Sequence, residues 1–135
     1  MKVIVATVCE HAWVENGCLS LCRTFDSISA DKFPYTLPRM GIAIRLLARR
    51  SEAGEHKIAI HIADADGKEL MRADWNLNVA VPLELIPESS FSFALNGQNV
   101  VFSAAGDYAV DVIIDSRVEV SIPIYVREKS GSKTG

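Results

Sequence analysis

The chain has 135 residues, of which 49% are hydrophobic and 23% are charged, and its formal net charge at pH 7 is −3. This length falls in the usual range of one domain, and a chain of this size needs neither a metal nor a disulfide to hold a core. The net charge is negative, and the lysine and arginine clusters have acidic residues beside them. Both facts argue against a nucleic-acid partner.

The first residues and the cysteines indicate the cellular compartment in which the protein is expected. The apolar run of about seven residues before Glu10 is short for a signal peptide and lacks an A-x-A cleavage site, so it predicts a first strand. No stretch reaches the roughly 20 apolar residues of a membrane span, so we expect no membrane association. Three cysteines cannot all pair within the chain, which favours a reducing cytoplasm.

Turn signals divide the first part of the chain. Residues 2–9 predict one strand, and a second apolar stretch covers residues 12–25. Within that stretch Asn16-Gly17 predicts a two-residue type I′ hairpin turn, because both turn positions need a positive φ. Residues 26–38 contain Ser27, Ser29, Asp31, Pro34 and Pro38, and they predict a loop that crosses between two sheets.

Two further strands are marked by apolar residues at alternate positions, as a strand buried on one face requires. These residues are Ile42, Ile44 and Leu46 in the first strand and Ile58, Ile60 and Ile62 in the second. Asp64-Ala65-Asp66-Gly67 then predicts a tight turn with Gly67 in the left-handed conformation. Asp64 and Asp66 are also reminiscent of a calcium loop, but the early glycine and the missing bidentate glutamate favour the turn.

The middle of the chain predicts a long strand over residues 70–81, with one parity facing the core. That parity consists of Met71, Ala73, Trp75, Leu77, Val79 and Val81. Residues 82–90 are the most helix-like part of the chain, but Pro87 interrupts them, so no helix is expected. Phe91, Phe93 and Leu95 predict another strand, and Asn96-Gly97 predicts a turn before residues 100–102.

The clearest pattern lies near the end of the chain, where two alternating apolar rows flank Asp115-Ser116-Arg117. A three-residue loop predicts four apolar pairs, namely Ile114–Val118, Val112–Val120, Val110–Ile122 and Tyr108–Ile124. Residues 127–135 are polar and predict a flexible tail, so the domain is expected to span residues 1–126. Seven to nine strands with frequent turns predict an all-β, all-antiparallel sandwich.

Residues 104–108, Ala-Ala-Gly-Asp-Tyr, resemble the corner of immunoglobulin-like sandwiches, in which a tyrosine hydroxyl bonds to nearby backbone. The resemblance implies an immunoglobulin-like β-sandwich. The cysteine and tryptophan pattern of antibody domains is missing, which excludes a true antibody-type domain.

A wider resemblance rests on short motifs distributed along the chain. They are Cys9-Glu10-His11-Ala12, Asn16-Gly17, Phe33-Pro34, Leu37-Pro38, Asp66-Gly67, Gly106-Asp107-Tyr108 and the ending Ile122-Pro123-Ile124-Tyr125-Val126. In these motifs the chain resembles a family of short, uncharacterised bacterial proteins of about this length. The resemblance implies a bacterial cytoplasmic protein and supplies no activity and no cofactor.

The first predicted hairpin holds the sharpest candidate site. The Asn16-Gly17 turn places His11 opposite Cys22 and Cys9 opposite Thr24, so Cys9, His11 and Cys22 would share one face, as zinc ligands could. A structural zinc site needs four ligands, and small apolar packing is the usual role of free cysteines. The same register brings Glu10 to Arg23, which predicts either a buried ion pair or a bulge.

No catalytic motif is present, since the sequence has neither a G-x-S-x-G elbow nor a glycine-rich phosphate loop. We therefore expect a non-enzymatic protein-binding or assembly module, with a homo-oligomer or another protein as partner. Trp13 is a candidate interface residue because it falls outside the aliphatic face, and Pro123 predicts that the last strand is an edge at that point. The alternative is a zinc protein, structural or hydrolytic, that uses Cys9, His11 and Cys22.

Overall fold

The computed structural model describes residues 1–80 and 88–129, and within these ranges the chain is built from nine β-strands and one turn of 3-10 helix at Arg50–Glu52. The strands are β1 (Lys2–Glu15), β2 (Cys18–Thr24), β3 (Ser27–Ala30), β4 (Tyr35–Arg49), β5 (Gly54–Ala63), β6 (Glu69–Val79), β7 (Glu88–Phe102), β8 (Gly106–Ile114) and β9 (Arg117–Glu128). Across these two ranges there is no helix long and apolar enough to cross a membrane.

The strands form two sheets. Sheet A has four strands in the order β2-β1-β4-β7, and sheet B has five in the order β3-β9-β8-β5-β6. The prediction of an all-antiparallel fold is wrong at one point, because β3 runs parallel to β9. The reason is that the chain leaves sheet A after β2 and joins sheet B beside its last strand, where the Tyr125 N–H donates to the Asp26 carbonyl at 2.7 Å.

The inner faces of the two sheets share one hydrophobic core. Sheet A contributes Val8, Met40, Ile42, Ile44 and Leu46, and sheet B contributes Ile58, Ile60, Ile62, Val110 and Val112. Phe102 at the end of β7 packs edge-to-face on Tyr108, with ring centroids 5.0 Å apart. The alternating rows read from the sequence in β4, β5 and β8 are therefore confirmed as core-facing.

The hairpin of β8 and β9 confirms three of its four predicted pairs, Val112–Val120, Val110–Ile122 and Tyr108–Ile124. The fourth pair is wrong, because the turn has two residues, Asp115 and Ser116, with φ of +50° and +69°. Two positive φ values make a type I′ turn, whose twist matches that of the strands. A register shift then places Val118 opposite Ile113 on the outer face, where 59% of it is exposed.

Strands β4 and β7 are longer than the sequence predicted. Asn96-Gly97 is not a turn: β7 continues through it, and Asn96 pairs with Gly41 of β4. Much of the predicted loop at residues 26–38 also belongs to strands. Pro38 lies inside β4 opposite Asn99, whose φ of +55° marks an irregular step in the pairing.

Strand β6 is an edge strand, so its predicted core row is only half-buried. Val79 is 2% exposed, whereas Met71 at the other end is 41% exposed. Trp75 packs against Phe93 of sheet A, with ring centroids 5.2 Å apart, and so closes this side of the sandwich. Val81 and the prolines at 82 and 87 lie outside the described residues.

The turn after β5 is confirmed. Gly67 has a φ of +86°, and one carboxylate oxygen of Asp64 accepts the N–H groups of Asp66 and Lys68 at 3.0 and 2.8 Å. At the other end of the sequence β9 extends to Glu128, two residues beyond the predicted end of the domain. The N–H of Lys129 donates to the Ala30 carbonyl at 2.7 Å, so these residues are held by β3.

Candidate functional site

The hairpin of β1 and β2 has the predicted register. Asn16 and Gly17 have φ of +52° and +74°, as a type I′ turn requires, and His11 pairs with Cys22. Only residues from Cys9 onward in β1 pair with β2, whereas the preceding residues of β1 pair with β4. Strand β1 is thus shared between the sheet and the hairpin.

The hairpin lies against the outer face of sheet A. A small apolar cluster joins Cys9 and Ala12 of β1 and Leu21 of β2 to Ala43 of β4 and Ala94 of β7. Near the tip, the Arg45 guanidinium donates to the Gly17 carbonyl at 3.5 Å. The hairpin therefore buries part of the outer face of the sheet.

Asn96 fixes the hairpin to the sheet through its side-chain amide. Its Oδ1 accepts the Ala12 N–H at 3.0 Å, and its Nδ2 donates to the Ala12 carbonyl at 2.8 Å. The amide crosses Gly41, where a Cβ would lie 2.8 Å from Asn96 Oδ1 and 3.1 Å from Cys9 Sγ. This contact cannot be predicted from the sequence, because Asn96-Gly97 has the composition of a turn.

The three predicted zinc ligands have different surroundings. Cys9 is fully buried in the apolar cluster, His11 is exposed, and Cys22 is intermediate. Burial first, and then the nearby Cys22 thiol, raises the pKa of the Cys9 thiol. A raised pKa disfavours the thiolate that a metal requires.

Of the residues that the structure describes, no group of three or more His, Cys, Asp or Glu side chains could hold a metal ion. Glu10 and Arg23 form the expected ion pair, with 3.4 Å between Oε2 and Nε, but it is exposed rather than buried. Arg23 has a φ of +58°, which is uncommon for a residue other than glycine. The predicted register survives with this local irregularity.

Trp13 lies on the face of the hairpin that points away from sheet A. Its side chain is 40% exposed and stacks on His11, with ring centroids 5.7 Å apart and an angle of 25° between the rings. Val14, also on the hairpin, is 42% exposed. The hairpin thus exposes an aromatic pair and an aliphatic side chain to solvent.

Within the described part of the chain, Pro123 lies at a point of β9 where the strand pairs with a neighbour on one side only. β3 pairs only with residues from Tyr125 onward, and Pro123 pairs with Ala109 of β8. Because the Tyr125 N–H points toward β3, the nitrogen two residues earlier faces the same side. The missing N–H of Pro123 therefore falls on the open side of β9, as the sequence predicted.

The longest open edge belongs to β7, which ends sheet A and pairs only with β4 within residues 1–80 and 88–129. From Ser89 to Phe102 this strand has no charged residue and no proline. Natural edge strands usually carry lysine, proline or bulges that discourage pairing with another chain. This edge is not apparent in the sequence, because the turn composition of Asn96-Gly97 divides β7 into two predicted strands.

His56 joins three parts of the chain at the start of β5. Its Nδ1 lies 2.6 Å from Asp115 Oδ2, and its Nε2 lies 2.7 Å from the Glu52 carbonyl oxygen. Both partners are acceptors, so both ring nitrogens must donate, which requires the imidazolium form. The Asp115 carboxylate, followed by the Glu52 carbonyl, raises the pKa of His56, and His56 lowers the pKa of Asp115.

These features define an all-β domain in which two sheets enclose one core and one sheet carries an added hairpin. The chain belongs to a family of unknown function (DUF6941), whose family model matches residues 4–127. The match covers all nine strands except the first two residues and the last residue of the paired region. A comparison with curated proteins finds no relative of this chain.

Proposed function

We propose that this domain is a non-enzymatic assembly module that pairs with a second copy of itself through the open edge of β7. The observation that carries the proposal is the run from Ser89 to Phe102, an edge segment without charge or proline. Between Ser89 and Gln98, before the irregular step at Asn99, this edge offers a continuous row of backbone donors and acceptors to another strand. Pairing two copies would turn two four-stranded sheets into one continuous sheet.

The side chains of β7 suit an antiparallel pair of identical strands. Small or uncharged residues form the outer-face row, namely Ser90, Ser92, Ala94, Asn96 and Gln98. A two-fold axis near the middle of β7 would bring members of this row opposite one another, and no like charges would meet within the segment from Ser89 to Phe102. Opposed like charges are what destabilise cross-strand pairs.

The other edges are less suited to strand addition. Strand β9 has Pro123 and a register shift next to Val118, and β3 has only four residues. Strand β6 carries Arg72 and Asp74 on its outer face. Pro123 would therefore keep the β9 edge from pairing.

The face that bears Trp13 is a second candidate contact surface, for a protein partner rather than for β-strand addition. Its exposed indole, stacked on His11, favours this role, since aromatic side chains dominate binding energy at interfaces. Substitutions at Trp13 and on β7 separate the two surfaces.

The fold type and the setting are part of the same proposal. The order β9-β8-β5-β6 corresponds to strands G, F, C and C′ of a variable-type immunoglobulin sheet, and β4 and β7 correspond to B and E. The Tyr108 hydroxyl donates to the Ala104 carbonyl at 2.7 Å, which supports an immunoglobulin-like tyrosine corner. The three free cysteines support a reducing cytoplasm.

Light scattering coupled to size exclusion tests the proposed assembly. We expect a mass twice the 14.8 kDa of the chain, and we expect Gln98→Lys with Val101→Lys to give a monomer because both positions on β7 are exposed. Val118→Lys, at an exposed valine of β9, is the matched control and should remain a dimer. A wild-type monomer at high concentration overturns the proposal, as does a dimer that survives both β7 lysines and is lost in Trp13→Ser.

A further inference from the structure

A cavity of about 210 Å³ lies between the sheets, beside the edges formed by β6 and β7. Its walls are aliphatic or thioether side chains from both sheets, namely Met40, Ile42, Ile60, Ile62, Leu95 and Val100. Nothing in the predicted strand pattern indicated this space, because the alternating rows give the direction of side chains and not the volume between them.

The polar side chains at the cavity already have partners. Arg72 Nε donates to Asp74 at 2.8 Å and Nη1 donates to Glu69 at 3.4 Å. The Asn96 amide is bonded to Ala12. A molecule inside the cavity would therefore find apolar contacts and few free hydrogen-bonding groups, so its buried part must be apolar.

The flexible side chain of Met71 lies over Gly97 at the entrance of the cavity. Met71 is 41% exposed, and its Cε would lie 3.6 Å from a Cβ at Gly97. A methionine can change rotamer at small cost, and the missing Cβ of Gly97 leaves room beside it. Movement of Met71 would admit a narrow chain.

We propose that this cavity binds an uncharged molecule with a linear aliphatic chain of about eight carbons. A dry apolar cavity of about 150 Å³ accommodates benzene, which has six carbons, so 210 Å³ corresponds in proportion to about eight. The neutral head follows from Arg72 in the cavity lining, whose positive charge is already paired with two carboxylates, those of Glu69 and Asp74. A carboxylate on the bound molecule would therefore find no free cation in the lining.

The test uses the full chain with 13C-labelled methionine methyl groups, titrated with straight-chain alcohols from butanol to decanol and with octanoate. The methyl signals of Met40 and Met71 should shift saturably, and that of Met1, which lies outside the cavity lining, should not. Affinity should rise roughly fourfold with each added methylene up to about eight carbons and then level off. Octanoate should bind more weakly than octanol.

A filled cavity provides the matched variant. Ala73→Leu adds three carbons to the lining, so the chain-length limit should fall from about eight carbons to about five. Ala59→Leu, on the outer face of the neighbouring strand β5, should leave the limit unchanged. If Ala73→Leu does not fold, the wild-type series decides alone.

Three results would overturn the proposal. One is no saturable shift of Met40 with any alcohol. Another is an affinity that continues to rise past octanol in both the wild type and Ala73→Leu, which indicates partitioning onto the surface. The third is octanoate binding as tightly as octanol, because it contradicts the charge argument.

Discussion

The contact between Asn96 and Ala12 is the feature of the fold most open to a quantitative test. Asn96→Ala removes both hydrogen bonds to the backbone of Ala12. Ala12 is a buried residue of the hairpin and lies against sheet A. Leaving a buried donor or acceptor unpaired costs about 1–3 kcal/mol. Since water can reach part of this site, we expect a total loss of roughly 2–4 kcal/mol in the free energy of unfolding.

Gly41→Ala acts on the same contact from the other side. Its Cβ would lie 2.8 Å from Asn96 Oδ1, 3.1 Å from Cys9 Sγ and 3.2 Å from Ala12 N, so the amide would have to move. We expect a cost of roughly 1–3 kcal/mol, in line with other overpacked sites. In the Asn96→Ala background the Cβ added at Gly41 no longer meets Asn96 Oδ1, so the cost of Gly41→Ala should fall by about 1 kcal/mol.

Urea unfolding followed by tryptophan fluorescence measures all four proteins of this cycle, with Trp13 reporting on the hairpin and Trp75 on sheet B. Asn78→Ala, at an exposed position of β6, is the control and should change stability by less than about 0.5 kcal/mol. Amide exchange at Ala12 should accelerate in Asn96→Ala. A loss below about 0.5 kcal/mol with unchanged exchange at Ala12, or strictly additive costs in the cycle, would refute the reasoning.

Two further predictions concern single side chains. The contribution of His56 should be fully present below its unfolded pKa of about 6.5 and should be lost as the pH rises through the raised folded pKa. Asp115 acts in the opposite sense, because its lowered pKa makes its contribution disappear as the pH falls through that value. The thermal stability of the wild type should therefore decline above pH 6.5, and that of His56→Gln should not show this decline. A pH profile of His56→Gln identical to that of the wild type would contradict the imidazolium assignment. Tyr108→Phe removes the hydrogen bond to Ala104 and should cost about 1 kcal/mol in urea unfolding, whereas a cost near zero would mean that water replaces it.

The sequence predicts those parts of the fold in which local pattern and tertiary contacts agree. The rows of β4, β5 and β8 alternate because one face of each meets the core, so their period of two is visible without a structure. The type I′ turn at Asn16-Gly17 is equally local, and its register follows from it. Both features need only neighbouring residues.

Other parts depend on residues far apart in the chain. Asn96-Gly97 has the composition of a turn, yet the Asn96 amide bonds to Ala12, and this tertiary contact outweighs the local signal. Strand β3 has four residues in a polar stretch and exists because β9 lies beside it. The open edge of β7 and the cavity beside it follow from sheet order, which no short motif records.

The parallel pairing of β3 with β9 has a consequence for the order of folding. Ser27 pairs with Tyr125, so the third strand of the chain must meet the last one before sheet B is complete. Closing so long a loop is slow, and chains dominated by such distant pairs fold in milliseconds to seconds. During synthesis β3 must therefore wait, unpaired, until the final strand has been made.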